Sequence, residues 1–198
     1  MTRKVKWVTD LATMKALAHD LRVRMLGELR SHGEATASEL ARKFGESSGS
    51  TSYHLRELAK YGFVEEAPVQ PNRRERRWRA AHELTAWNNA DFAGTDEGRE
   101  VIAFMQNRQW EALREAAAEF DRGRASWSDA WIETAGVSDY SVRMAPDTLQ
   151  ELWERIQSLI DELEARDAGR PDAVRVTLGA MAFPRERKAA APADEAEG

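Results

Sequence analysis

The chain contains no cysteine, which excludes disulfides, thiolate metal sites and cysteine nucleophiles together, and accords with a reducing compartment. It also lacks any run of the roughly eighteen apolar residues that a spanning helix needs. Met1 to Thr9 carries Arg3, Lys4 and Lys6 but no apolar stretch behind them, unlike a secretory signal. The expectation is a soluble, cytoplasmic protein without a membrane partner. There is no glycine-rich phosphate loop, no nucleophile elbow, no metal-ligand spacing and no internal repeat. No cofactor is therefore expected. For catalysis this leaves only carboxylate pairs such as Asp129 and Glu133, which could in principle divide acid and base roles.

At 198 residues there is room for one large domain or two small ones. The net charge of −5 suits a nucleic-acid binder poorly until the chain is divided at His82. Residues 1–82 hold 16 Lys and Arg against 10 Asp and Glu, a net +6; residues 83–198 hold 13 against 24, a net −11. One half suits a polyanion and the other repels it.

Along the chain, Leu11, Met14, Leu17 and Ala18 share a helical face behind the caps Thr9 and Asp10. Asp20 is placed to cap a second helix that turns Val23, Met25, Leu26 and Leu29 inward and stops near Gly33. Thr36 with Glu39 reads as a capping box for a third, two-turn helix with Leu40 and Phe44 inward, ended by Gly45. Ser47 or Ser48 caps a fourth, with Thr51, Leu55, Leu58 and Ala59 inward and Gly62 as its stop. Two short helices about a turn at Gly45 make a helix-turn-helix. Phe63 to Ala80 then reads as a hairpin with its tip at Pro71 and Asn72.

On the fourth helix, once Thr51, Leu55 and Leu58 face inward, Gly49, Tyr53, Arg56 and Lys60 face out, flanked by Ser48, Ser50 and Ser52. That surface has small residues at its start and no acid at its centre, as a helix lying in the major groove beside phosphates requires. His54 falls at the edge of the inward face and reads as a packing or hydrogen-bonding residue. The hairpin adds Arg73, Arg74, Arg76 and Arg77, placed to reach phosphates or an adjoining minor groove.

The run Ala16 to Ala80 resembles the winged helix-turn-helix of the ArsR-like repressor family. The resemblance is carried by KALAHDLRVRMLGEL, ATASELARKFG, SSGSTSYHLRELAKYGFV and the wing through RRERRWRA, and it spans about a third of the chain. It implies a dimer that occupies an operator and changes its grip when an effector binds. Metal sensors of that family commonly carry cysteines on the third helix. The matching stretch Ala35 to Leu40 has none, and His32 and His82 form no ligand set with the carboxylates, so no metal site is expected.

Beyond the hairpin, residues 83–95 read as a linker helix and Glu97 to Phe120 as a long helix. Leu149, Trp153, Ile156, Ile160 and Leu163 mark an amphipathic helix opened by Pro146 or Asp147. Val137 to Met144 and Ala173 to Phe183 alternate on either side of it, which predicts strand, helix, strand. The tail 184–198 has the composition of a disordered segment. Trp110, Trp127, Trp131, Tyr140 and Trp153 are candidate linings of a pocket for an apolar small-molecule effector; the alternative is plain core or dimer interface.

The expected architecture is mainly α with small β. A winged helix-turn-helix at 9–82 and a linker helix at 83–95 lead to a helical dimerisation and sensing domain at 96–183 with a strand-helix-strand element. The expected function is a homodimeric transcriptional regulator, a repressor bound to a palindromic operator on double-stranded DNA. Two other classes compete: a winged-helix adaptor that binds protein, opposed by the arginine-rich hairpin, and an enzyme with a C-terminal active site.

Overall fold

The computed structural model describes residues 3–70 and 76–185. The order of elements is β1 (Val5–Trp7), α1 (Leu11–Leu17), α2 (Asp20–His32), β2 (Ala35–Thr36), α3 (Ala37–Phe44), α4 (Ser48–Lys60), β3 (Val64–Glu66), β4 (Arg77–Ala80) and β5 (Leu84–Ala86). A short 3-10 turn at Asn89–Asp91 leads into α5 (Asp96–Arg122). A second turn at Arg124–Ser126 is followed by α6 (Asp129–Thr134) and α7 (Pro146–Asp167). The protein is mainly helical with two small sheets.

Local chemistry sets the helix ends. Asp10 accepts the Thr13 amide proton at 2.8 Å and caps α1. Thr36 and Glu39 form the reciprocal capping box of α3, at 3.1 and 2.7 Å, so two otherwise orphaned amides are satisfied. Gly45, at φ +69°, takes the left-handed conformation that lets the chain leave α3 and turn at once into α4. Asp20 is not the cap of α2; His19 holds that position with no side-chain bond, and Asp20 sits inside the first turn, where its charge favours the helix dipole.

The apolar faces of α1 to α4 close on one core. Met14, Met25, Leu40, Leu55, Leu58 and Phe63 are its fully buried centre. At roughly 25 cal/mol per Å² of apolar surface, each such side chain contributes about 1.5–3 kcal/mol. The sheet β2-β4-β3 is antiparallel, with Thr36 opposite Arg77 and Glu66 opposite Trp78, and Trp78 lays its ring on the same core.

Residues 83–95 contain no α-helix. Leu84–Ala86 pairs in parallel with Val5–Trp7, and only the 3-10 turn capped by Asn88 follows. The free edge of β1 decides this, because it offers Leu84 and its neighbours a ladder that a local helix would forgo. Arg30 reinforces the join, donating to the His82 carbonyl at 3.0 Å and to Thr85 Oγ1 at 2.7 Å. Burial lowers its pKa to about 10, which leaves the guanidinium charged at neutral pH.

Strand-helix-strand is a second correction. The helix forms as read, but Val137 to Met144 and Ala173 to Phe183 are irregular, without ladder partners among the described residues. A strand needs a neighbour. Alternation within a segment supplies no such neighbour, and these two form no ladder with each other or with either sheet. The short helix α6 was not anticipated.

Helix α5 runs from the first core into the second half of the chain. Ile102 and Met105 pack in the N-terminal cluster, and Gly98 fits against the Phe92 carbonyl so closely that a Cβ would lie 2.0 Å from that oxygen. Lys15 to Glu97 at 2.7 Å and Arg108 to Asp20 at 3.0 Å hold the same junction. From residue 106 to residue 185 no side chain is buried. Helix α7 is tied back chiefly through Arg3, which pairs with Asp161 at 2.9 Å and Glu164 at 2.6 Å.

Candidate nucleic-acid interface

Helix α4 is held by the inward face read from the sequence: Thr51, Leu55 and Leu58 are completely buried. Thr51 does more than pack. Its hydroxyl lies 2.9 Å from the Ala37 carbonyl at the start of α3, so the two helices are pinned where they cross. Ser47 accepts the Ser50 amide proton at 3.1 Å and caps α4.

This anchoring presents the opposite face to solvent. Ser48, Tyr53, Arg56 and Lys60 are exposed, and Ser50 and Ser52 are half-buried on the flanks. Tyr53 is 56% exposed. Arg56 has no ion-pair partner among the described residues, whereas Lys60 lies over the Tyr61 ring at 5.2 Å. The face is cationic, short in apolar surface and open at its N-terminal end, where Gly49 leaves room for close approach.

The wing is more internally committed than its sequence implies. Arg73, Arg74 and the Pro71–Asn72 tip lie outside the described residues, as does the tail beyond 185. Of the rest, Arg76 pairs with Glu66 at 2.7 Å and Arg79 with Glu65 at 2.7 Å. Arg77 is half-buried and donates to the Glu34 carbonyl at 2.6 Å, with the carboxylates of Glu39 at 3.6 Å and Glu34 at 3.9 Å. Sequence reasoning missed these partnerships. The acids are visible in the sequence, but their placement needs the β2-β4-β3 register.

His54 packs, as its position on the helix predicted. Its ring lies tilted against His19 of the α1–α2 connection at 4.4 Å and meets Tyr53 edge-on at 5.2 Å. Nδ1 is buried and has no hydrogen-bond partner among the described residues. Burial first, then the neighbouring His19 and Arg22, hold its pKa below the usual imidazole range. Burial, with Lys4, Lys6 and Arg30, does the same for His82.

The five aromatic residues expected to line an effector pocket are not brought together. Trp110 and Trp153 share an open groove of about 220 Å³ with Asn89, Gln106, Gln109 and Phe183. Trp127 lies elsewhere, between Phe120 at 5.9 Å and Trp131 at 6.2 Å. Tyr140 is 85% exposed and joins neither group. Their wide sequence spacing could not show this, because α5 carries the two clusters at different heights. Asp129 and Glu133 are exposed on α6. Among the described residues no three acidic or histidine side chains stand close enough to hold a metal, and no helix is long and apolar enough to cross a membrane.

Helix-turn-helix, three-stranded antiparallel sheet and outward cationic helix together define a winged helix-turn-helix domain, the architecture with which many transcription regulators bind DNA. Residues 17–67 match the family model described as a helix-turn-helix domain. That span covers α2 to α4 and the first wing strand, within the run whose motifs resemble the ArsR-like family. Among solved structures, the chain is similar to a homodimeric winged helix-turn-helix DNA-binding domain from Mycobacterium bovis, a possible ArsR-family regulator. Identity is 23%, covering 55% of this chain and 77% of that one, with a TM-score of 0.32. An ArsR family transcriptional regulator is 27% identical over 50% of this chain and 88% of its own, at a TM-score of 0.30. A transcriptional regulator from Thermotoga maritima is 12% identical over 82% and 90%, at 0.31. At such TM-scores these likenesses carry no functional argument. No curated protein matches the chain.

Proposed function

We propose that the protein is a DNA-binding transcriptional regulator that acts as a homodimer, represses from a palindromic operator and is released by a small-molecule effector. The observation that carries this reading is α4: a helix locked from behind by Thr51, Leu55 and Leu58 and offering Tyr53, Arg56 and Lys60 to solvent. The serines at its start allow close approach to the duplex, and the arginines of the wing, Arg73, Arg74 and Arg76, supply charge for phosphate contact.

Division of labour follows the charge. Residues 9–82 read DNA, 83–95 connect, and 96–183 dimerise and sense. A dimer is supported by residues 106–185, which bury none of their side chains and leave Leu159 at 52% exposure and Leu163 partly open on α7. A two-fold axis there would set two copies of α4 on half-sites about 34 Å apart, one turn of DNA. The Trp110 and Trp153 groove is the favoured effector site, with Trp127 and Trp131 left to packing.

The test is selection of duplexes from a random pool by the full-length protein, followed by titration against salt. Recovery of an inverted repeat, with affinity falling steeply as salt rises, is expected. Tyr53→Ala and Arg56→Ala should shift base preference. Failure to enrich any duplex at low salt would refute the reading. Sedimentation of the full-length protein and of Leu159→Asp/Leu163→Asp checks the dimer, which the double variant should convert to monomer.

A further inference from the structure

Among the described cations of the wing, Arg77 alone reaches across to Glu34 and Glu39 beside the start of α3. We propose that Arg77 is a positioning residue: it locks β4 to the N-terminus of α3 and so sets the angle between wing and α4, without itself contacting DNA. This rests on the DNA-binding reading above and goes beyond it, because it removes one arginine from the contact surface and gives it a different role.

Three separate groups converge on Arg77. Its guanidinium donates to the Glu34 carbonyl at 2.6 Å and lies 3.6 Å from Glu39 and 3.9 Å from the Glu34 carboxylate. Its amide donates to Gln70 Oε1 at 2.8 Å, while Gln70 Nε2 returns bonds to the Ala67 carbonyl at 2.8 Å and the Arg77 carbonyl at 3.1 Å. Its Cα stands opposite Thr36 in the β2–β4 ladder. Thr36 is also the N-cap of α3, and its amide is held by the other oxygen of Glu39 at 2.7 Å. One carboxylate thus closes the α3 capping box and faces the wing arginine. The hydrogen bonds from Thr36 first, with Arg77 and Arg42 adding charge, lower the Glu39 pKa and so favour its ionised carboxylate.

Geometry opposes a second role as a phosphate ligand. A guanidinium is a rigid planar fork, and its donors cannot stay on Glu34 and Glu39 while turning outward. Leaving would strip the Glu34 carbonyl and the Glu39 carboxylate of a charged partner. Arg56 differs on each count, being exposed and without an ion pair among the described residues.

Salt separates the two roles. Each phosphate contact adds about 0.9 to the slope of log affinity against log salt, because it releases condensed cations, and a residue acting only through geometry adds nothing. Full-length wild type, Arg77→Gln, Glu39→Gln and Arg56→Gln are titrated with a selected duplex over a range of salt. Thermal melts confirm folding, and Glu39→Gln keeps a glutamine suited to the capping box. Arg77→Gln should weaken binding by about ten-fold, as loss of a charged hydrogen bond allows, at unchanged slope. Glu39→Gln should move the same way by less, and the double variant should fall short of the product. Arg56→Gln should lower the slope by about 0.9.

Hydrogen exchange without DNA supplies the second readout. The Ala35 and Thr36 amides should exchange faster in Arg77→Gln and Glu39→Gln. A slope reduced by about 0.9 in Arg77→Gln would make it a phosphate ligand after all. Unchanged affinity, or unchanged exchange at β2, would deny it any positioning role. If the wild type enriches no duplex, the DNA-binding reading fails by itself, and exchange at β2 still decides whether Arg77 holds the wing.

Discussion

The two halves of the chain carry equally clear amphipathic helices, yet only one of them closes a core. In the N-terminal half, α1 to α4 and the start of α5 turn their stripes toward one another, and every buried side chain among the described residues, from Val8 to Met105, lies there or at this junction. In the C-terminal half α7 is longer and as well patterned, but none of its residues is buried, and Trp153 only shares an open groove with α5 and the segment that ends at Phe183. Val137, Tyr140, Val142 and Met144 are exposed in the first unpaired segment, and Val174, Val176 and Leu178 in the second. The difference teaches that an amphipathic pattern states a demand for a partner, and that a single chain can leave that demand unmet. A second copy is the economical supplier, consistent with the dimer proposed above.

This contrast breaks most readily at core leucines. Leu55→Ala should cost about 3–5 kcal/mol, the range for emptying a fully buried site, whereas Leu159→Ala in a dilute, monomeric sample should cost under about 1 kcal/mol. Urea denaturation at low micromolar concentration measures both. If the dimer forms, raising the concentration should enlarge the Leu159 effect and leave the Leu55 effect unchanged. Equal losses at low concentration would mean that the second half has a core of its own.

The junction comes next. Gly98→Ala places a methyl 2.0 Å from the Phe92 carbonyl, a backbone atom that cannot step aside. A loss of about 1–3 kcal/mol is expected, seen as a lower melting temperature. Because Ile102 and Met105 lie one and two turns further along α5, the loss should appear in the N-terminal transition; confinement to a separate C-terminal transition would contradict the shared core.

Thr36→Ala removes one limb of the α3 capping box and should cost about 1 kcal/mol. Chemical denaturation measures it. The same substitution at Thr148, an exposed residue in the first turn of α7, should fall within about 0.5 kcal/mol of wild type.

The smallest effect concerns pH. His54 and His82 have folded pKa values below the ordinary imidazole value of 6.5, so the unfolded chain takes up protons first. Their contribution to stability is present above about pH 6.5 and is lost as pH falls toward the folded values. The urea midpoint should therefore decline with acidification from pH 7 to 5, and His54→Asn should flatten that decline. A midpoint that rose on acidification would reverse the sign of the shift.

Much of the candidate interface's geometry was legible in the sequence because its causes are local. A threonine three residues before a glutamate caps a helix, a glycine ends one, and the spacing of Thr51, Leu55 and Leu58 dictates that Tyr53, Arg56 and Lys60 look the other way. The wing was legible as a hairpin but not as a network. Arg76 and Arg77 read alike in sequence, yet one is exposed against Glu66 and the other is half-buried against Glu34 and Glu39. That distinction depends on which residue stands opposite Thr36.

Helix positions, caps, the turn at Gly45 and the charge asymmetry of the halves were determined by the sequence itself, since each arises from neighbours within a few residues or from composition. Tertiary structure decided the rest. It made residues 84–86 a strand because β1 offered an edge, left residues 137–144 and 173–183 without a ladder partner among the described residues, and divided the tryptophans between two sites. The physical reason is common to all three: pairing and burial depend on groups far apart in the chain, and no local preference records where those groups will meet.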